Sequence, residues 1–244
     1  QKAGPLFEVW KEKHGVAYAT PKEELKRLTI FTETVERIVH HNSGRTAADG
    51  SEDHMLGLNK FSDMSWEEFQ SSHLGFNGVL RQGQNCSATH HPGQFREAVG
   101  NSFVPPASRD WRLVGAVSEV KDQSHCGSCW TFSATGCLES HHFLRTGDMV
   151  LLSEQQLVDC AQDFDNHGCN GGLPSHAFQY TAAAGGLDTE KAYPYVGHES
   201  GSCSFVPSGV GAEVLRSVNI TFQDEAELLE AVGTIGPVSI AFEV

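Results

Sequence analysis

The sequence predicts an α+β protein in which helices dominate and strand arrives late. Three observations lead there. Amphipathic 3.6-residue periodicity runs from about Pro21 to His41, and helical character recurs over Trp130–Arg145 and Pro174–Ala184. A Ser or Asp followed three residues later by Glu or Gln marks helix starts at Ser65, Ser153 and Asp224. Apolar and polar residues alternate over Pro237–Val244, the period of a strand.

Taken in order, Pro5–Lys13 is a short, partly amphipathic segment. The longer helix from Pro21 carries Leu28, Phe31, Val35 and Ile38 on one stripe, and proline suits its start. Ser65-Trp-Glu-Glu68 opens a third helix. Residues 75–103 are rich in Gly, Gln, Asn, Ser and His without periodicity and read as an exposed connector. Val117–Val120 forms a short extended approach to a cysteine-containing loop. The following helix, stopped by Gly147, carries Trp130, Leu138, Phe143 and Leu144, with Cys137 as a small core residue. Ser153-Glu-Gln-Gln156 opens a helix through Leu157 to Cys160. Pro174–Ala184 ends at Gly185-Gly186. Tyr193-Pro194-Tyr195 and Cys203 fall in an irregular stretch, and Asp224-Glu-Ala-Glu227 caps a helix to about Val232.

At 244 residues the chain can bury a substantial core and hold more than one domain. The net charge of −14 argues against nucleic-acid binding. It is uneven: residues 1–103 carry 11 Lys/Arg and 13 Asp/Glu, residues 104–244 carry 6 and 18. Thirteen histidines could offset this charge on acidification, which would suit an acidic vesicle; a solvated acidic surface is the simpler reading. No apolar run approaches the ~20 residues of a membrane helix. No charged-then-apolar leader stands at Gln1, so the chain is expected to begin after its removal. Seven cysteines and the sequons at Asn85 and Asn219 fit an oxidising, secretory route.

The chemistry concentrates in Gln123-Ser-His-Cys126-Gly-Ser-Cys129-Trp130. Cys129 falls at the first turn of the predicted helix, where the dipole favours a thiolate, the nucleophilic form. Backbone N–H groups at that helix start and the Gln123 amide could hold an oxyanion. Other readings of Cys126-x-x-Cys129 are a redox pair, half a zinc site, or inert buried cysteine. Zinc would need a second ligand pair, and none is evident. Further on, the paired glycines of Gly168-Cys169-Asn170-Gly171-Gly172-Leu173-Pro174 would let a substrate backbone approach; the plain alternative is a tight turn.

With Gln123 included, the cysteine stretch resembles the nucleophile signature of papain-like cysteine proteases, C-G-[SA]-C-[WY]. Two upstream motifs agree. Glu23, Arg27, Phe31, Thr34, Ile38 and Asn42 follow the ERFNIN spacing of that family's propeptides, with Thr34 in place of the family asparagine. Gly57-Leu-Asn59-Lys-Phe61-Ser-Asp63 matches the companion GNFD motif. Val104-Pro-Pro-Ala-Ser-Arg-Asp110-Trp111-Arg112 looks like the family's mature N-terminus. Gln84-Asn85-Cys86-Ser-Ala-Thr89 is similar to the mini-chain of the cathepsin H branch.

The resemblance implies a papain-like two-subdomain fold, with a helical left and a β-barrel-like right subdomain, preceded by an inhibitory propeptide. It places the propeptide at 1–103, including the mini-chain-like segment 84–89, and the peptidase domain at 104–244. It implies disulfides Cys126–Cys169 and Cys160–Cys203, the first of which would remove Cys126 from any redox pairing with Cys129. It implies that Cys129 forms an acyl-thioester, that Gln123 holds the oxyanion, and that Gly171 and Gly172 bind substrate backbone. Leu173 and Pro174 would wall a specificity pocket. Cys86 would tether the mini-chain, and Thr89 would supply the carboxylate that binds a substrate's free amino group and confers aminopeptidase action. The expected partners are peptide substrates and the chain's own propeptide. No cofactor, metal, nucleic acid or membrane span is expected. The protein is expected to be a monomer, lysosomal or secreted.

The family's catalytic histidine and asparagine lie ~130–150 residues beyond the cysteine. Val244 comes sooner. His141, His142, His167, His176 and His198 lack a family-like context and read as surface or satisfied residues. The sequence is therefore expected to be incomplete, lacking most of the β-barrel-like subdomain and inactive by itself. The rival reading is a non-catalytic short form that inhibits related proteases through its propeptide.

Overall fold

The computed structural model describes residues 3–43, 55–74, 94–100, 104–221 and 223–240. The chain divides into two compact units, 1–70 and 71–244.

In the first unit, α1 (Ala3–His14) packs on α2 (Pro21–Asn42). Thr20 caps α2 by accepting the Glu23 N–H at 3.2 Å, ahead of Pro21 in the first turn. Phe31 is fully buried against Phe7 and Trp10, with Leu28 and Val35 packed around them. The polar residues of the motif spacing tie this helix to the chain beyond it. Arg27 donates to Glu23 (2.7 Å), to Glu68 (2.6 Å) and to the Asp63 carbonyl (3.1 Å). The Asn42 amide brackets Leu56, donating to its carbonyl at 2.8 Å and accepting its N–H at 3.0 Å. Tyr18 Oη donates to Asp63 at 2.7 Å; burial, then that carboxylate, push the phenol above its usual range. Ser65 and Glu68 exchange side-chain-to-backbone bonds of 3.2 and 3.0 Å, the reciprocal capping box expected there, and open α3 (Trp66–His73).

The second unit contains α4 (Gln94–Val99), α5 (Cys129–Thr146), α6 (Glu154–Cys160), α7 (Pro174–Ala184) and α8 (Glu225–Thr234). A small antiparallel pair, β1 (Leu187–Asp188) and β2 (Val210–Ala212), has Leu187 opposite Ala212. The core gathers Trp130 and Ala134 of α5, Leu152, Leu157 of α6, Ala177 and Tyr180 of α7, Leu187 and Ala212. Left-handed Gly147 and Gly185 end α5 and α7, as the sequence predicts. Disulfides join Cys126 to Cys169 and Cys160 to Cys203, each across 43 positions. Each closes a loop worth about 4 kcal/mol in the chain-entropy treatment.

Three expectations need adjustment. The buried face of α5 is largely polar: Thr131, Thr135, Glu139 and Ser140 join Trp130 and Ala134, whereas Leu144 is exposed. The reason lies elsewhere in sequence. Lys121 Nζ sits 2.5 Å from Glu139 and 2.7 Å from Glu154, and Ser118, Thr135 and the Leu152 N–H complete the carboxylates' hydrogen bonds. At Ser153 only half of the capping box forms: its Oγ accepts the Gln156 N–H, but the Gln156 amide reaches Tyr180 Oη and the Asp188 N–H instead. Over Pro237–Val244, residues 237–240 join no ladder, because among the described residues no strand lies beside them; 241–244 lie outside the described residues. Ser239 instead bonds the Ser133 carbonyl at 2.7 Å.

Candidate active site

Cys129 is the first residue of α5, and its thiol is free and exposed. Ser128 precedes it as N-cap, with its hydroxyl turned away from the helix N–H groups. Fully buried, that hydroxyl lies 2.6 Å from Tyr195 Oη. The loop leading to Cys129 is tightly determined. Ser124 adopts φ 54°, unusual for a residue other than glycine, and its N–H donates to Asp122 at 2.9 Å. The Gln123 side-chain amide donates to the Cys126 carbonyl at 2.9 Å and to the His73 carbonyl at 3.0 Å. The amide expected to hold an oxyanion is thus engaged by two carbonyl oxygens of the chain itself. The buried His73 ring meets His125 edge-on, centroids 5.2 Å apart.

The glycine stretch lies beside this loop. The Cys126–Cys169 disulfide and a parallel bridge between Gly127 and Asn170 join the two. Gly171 has φ 111°, and a Cβ at Gly172 would stand 2.4 Å from Asn166 Oδ1 and 2.6 Å from the Trp130 ring. Glycine is therefore required at 172 by internal packing, whatever it offers a ligand. Asn166 Oδ1 accepts the Leu173 N–H at 3.0 Å, and Trp130 Nε1 donates to the Gly168 carbonyl at 3.1 Å. Leu173 and Pro174 border a cavity of about 1180 Å³, together with Phe178, Cys137 and His141.

The structure so brings together Gln123, Cys126, Cys129 and the stretch 168–174. It leaves the downstream histidines elsewhere. His141 contacts the Pro237 carbonyl at 3.0 Å, and its neighbour Cys137 is the first reason its imidazole is raised above the ordinary value. Half-buried Cys137 donates to the same carbonyl. His167 lies 3.5 Å from Asp165, and His198 contacts the Val196 carbonyl. His176 departs from the satisfied role expected of it, with Nδ1 buried and unpartnered. Among the described residues Cys129 makes no side-chain hydrogen bond, no cluster of three metal-ligating side chains occurs, and no helix is long and apolar enough to cross a membrane. Asn85, Cys86 and Thr89 lie outside the described residues; Asn219 is half-buried. Sequence reading missed His73 and Tyr195, which meet Gln123 from 50 and 72 positions away, and Asn166, which braces its loop through Leu173 seven positions on.

Comparison with known proteins covers nearly the whole sequence. Residues 105–244 match the description "Papain family cysteine protease", and residues 7–69 match "Cathepsin propeptide inhibitor domain (I29)". Oryzain gamma chain of Oryza sativa subsp. japonica is 50% identical over 232 residues, 95% of this chain and 60% of that protein. Pro-cathepsin H of Medicago truncatula is 48% identical over 238 residues, 98% of this chain and 63% of that protein. The chain thus spans about 60% of the length of these relatives. Among solved structures, the digestive procathepsin L2 proteinase from Tenebrio molitor larval midgut superposes with a TM-score of 0.81 at 37% identity, covering 96% of this chain and 73% of that one.

Proposed function

Since this chain belongs to the papain family of cysteine proteases and has a cathepsin propeptide inhibitor domain ahead of its peptidase domain, we propose that the protein it represents is a cysteine peptidase zymogen. The observation that carries the reading is a free, exposed thiol at the head of α5 with the Gln123 amide in the same loop. In the reaction, the Cys129 sulfur attacks a peptide carbonyl carbon. The carbonyl oxygen takes the negative charge and is held by Gln123 Nε2 and the Cys129 backbone N–H. Collapse expels the amine, leaving a thioester, and water then releases the acid. The thiol proton needs an acceptor that also protonates the leaving amine. We assign it to a histidine in sequence corresponding to the remainder of the relatives' length, because His141, His167 and His198 contact other groups and no described histidine bonds the free Cys129 thiol.

Residues 1–103 act as the propeptide in this reading. The His73 carbonyl on Gln123 supports it, since that contact competes for the donor an oxyanion would need. Segment 84–89 is proposed to remain as a mini-chain that directs cleavage to free N-termini, with peptides as substrates; the 48% identity to a pro-cathepsin H supports this. The two disulfides suit a lysosomal or secreted location. The test is expression at the relatives' full length, acid processing, and hydrolysis of fluorogenic aminoacyl substrates. Cys129→Ser should abolish turnover. Equal rates on free and N-acetylated substrates would remove the aminopeptidase assignment. The second reading, an inhibitor acting in trans, is favoured by the same His73 contact. It predicts that the 244-residue chain blocks a related protease without being turned over, and loss of that inhibition on removing residues 1–103 is required of it.

A further inference from the structure

The irregular stretch after β1 holds a side chain that reaches both ends of the nucleophile loop. Tyr195 Oη donates to the Gln123 carbonyl at 2.8 Å. With its single proton on that carbonyl, it accepts from the Ser128 hydroxyl 2.6 Å away, a hydroxyl that also lies 3.4 Å from the Cys126 carbonyl. One phenol oxygen thus connects the backbone of Gln123 to the N-cap immediately before Cys129. The phenol is itself anchored. Its ring meets Phe132 edge-on at 5.0 Å, and its backbone N–H donates to Glu190 at 2.8 Å. Gly197 at φ 75° lets the same segment come close to the loop, since a Cβ there would lie 3.1 Å from Ser124 Cβ. Between these ties sits Ser124 in its sparsely populated conformation, which persists only where the surroundings over-determine it.

We propose that Tyr195 is a positioning residue for peptide cleavage: through its bonds to Gln123 and Ser128 it fixes the spacing between the side-chain amide and the Cys129 N–H that together receive the oxyanion. This rests on the peptidase reading above. It adds a residue that touches neither substrate nor sulfur. Burial keeps the phenol protonated well above neutral pH, so the donor is present under all working conditions. Tyr195→Phe keeps the ring contact but removes the oxygen shared by the Gln123 carbonyl and the buried Ser128 hydroxyl, which is left with the Cys126 carbonyl at 3.4 Å. The loop is then free to shift by a fraction of an ångström, and oxyanion donors are sensitive to such shifts.

The test uses the full-length, processed protein. For Tyr195→Phe the expectation is a fall in kcat of roughly ten- to a hundredfold, with KM within about twofold of the parent. Affinity for a peptide aldehyde, whose adduct on the thiol mimics the tetrahedral state, should fall in parallel. The rate and pH profile of Cys129 alkylation by iodoacetamide should stay at parental values, because alkylation builds no oxyanion; a general loosening of the site would move all of these together. Unchanged kcat and aldehyde affinity overturn the proposal, as does a loss of alkylation rate matching the loss of kcat. If Tyr195→Phe does not fold, Ser128→Ala breaks the bridge from its other end and must lower kcat and aldehyde affinity together; parental values there also overturn it. A parent protein that cleaves nothing defeats the peptidase reading itself, and this proposal with it, whereas an active parent beside an equally active Tyr195→Phe defeats only the proposal.

Discussion

Replacing Lys121 with methionine removes the cation between two buried carboxylates while keeping most of the stem's volume. Both glutamate side chains are 1% exposed, and Lys121 is 22% exposed. Without the ammonium, Glu139 retains Ser118 and the Leu152 N–H, and Glu154 retains Thr135. Those are neutral donors facing two negative charges that have lost their compensation. Breaking one side of a buried ion pair typically costs 3–5 kcal/mol. The partial exposure of Lys121 argues for the lower end, about 3 kcal/mol. With a urea dependence of about 2 kcal/mol per molar, the midpoint should fall by roughly 1.5 M. Tryptophan fluorescence follows the transition, since Trp130 lies in the core. Burial by itself would lower the Lys121 pKa, but the Glu154 and Glu139 carboxylates outweigh it and hold the ammonium above its ordinary value. The advantage of lysine is therefore fully present below about pH 10.5 and fades as the pH rises through the folded value. Adding Glu139→Gln and Glu154→Gln to the methionine variant should recover much of the loss. A midpoint drop smaller than about 0.3 M would mean that water already solvates the carboxylates, and the argument would be wrong.

In the first unit, burial works to raise the Glu68 carboxyl, yet Lys26, the Ser65 N–H and Arg27 together hold it at about 2. Its stabilisation is present above the ordinary carboxylate pKa and lost as pH falls toward 2, so Glu68→Gln should cost on the order of 1–2 kcal/mol at pH 6 and almost nothing at pH 2; denaturation curves at both values decide it. Gly172→Ala forces a methyl against Asn166 and Trp130, and overpacking of this kind should cost about 1–3 kcal/mol; an unchanged melting temperature would show that the ring yields freely. Opening the Cys126–Cys169 bridge with paired alanines should lower stability by about 2–5 kcal/mol, readable as a falling thermal midpoint that reducing agent no longer lowers at this bond.

Local signals were the legible part. Cys129 at a helix start, Pro21 in the first turn of α2, the caps at Ser65 and Asp224, and the glycine stops at 147 and 185 depend on a few neighbouring residues. The pairing of cysteines came from family resemblance, because spacing alone admits several connectivities. What stayed hidden depends on distant partners. Periodicity marks apolar stripes, so it passes over a helix face where Glu139 is buried against Lys121, 18 positions upstream. Tyr195 and Gln123 are 72 positions apart, and nothing local to either announces the bond. The alternation from Pro237 describes a segment able to be a strand, but a ladder also needs a neighbour.

The covalent tie between Cys126 and Cys169 and the adjoining bridge from Gly127 to Asn170 have a practical corollary for engineering. The stretch that would choose a side chain is thereby fastened, covalently and through its backbone, to the loop that carries the sulfur. Redesign of residues 170–174 to accept a bulkier group would therefore register in turnover as well as in selectivity, and a library screened for preference alone would carry a concealed tax on speed.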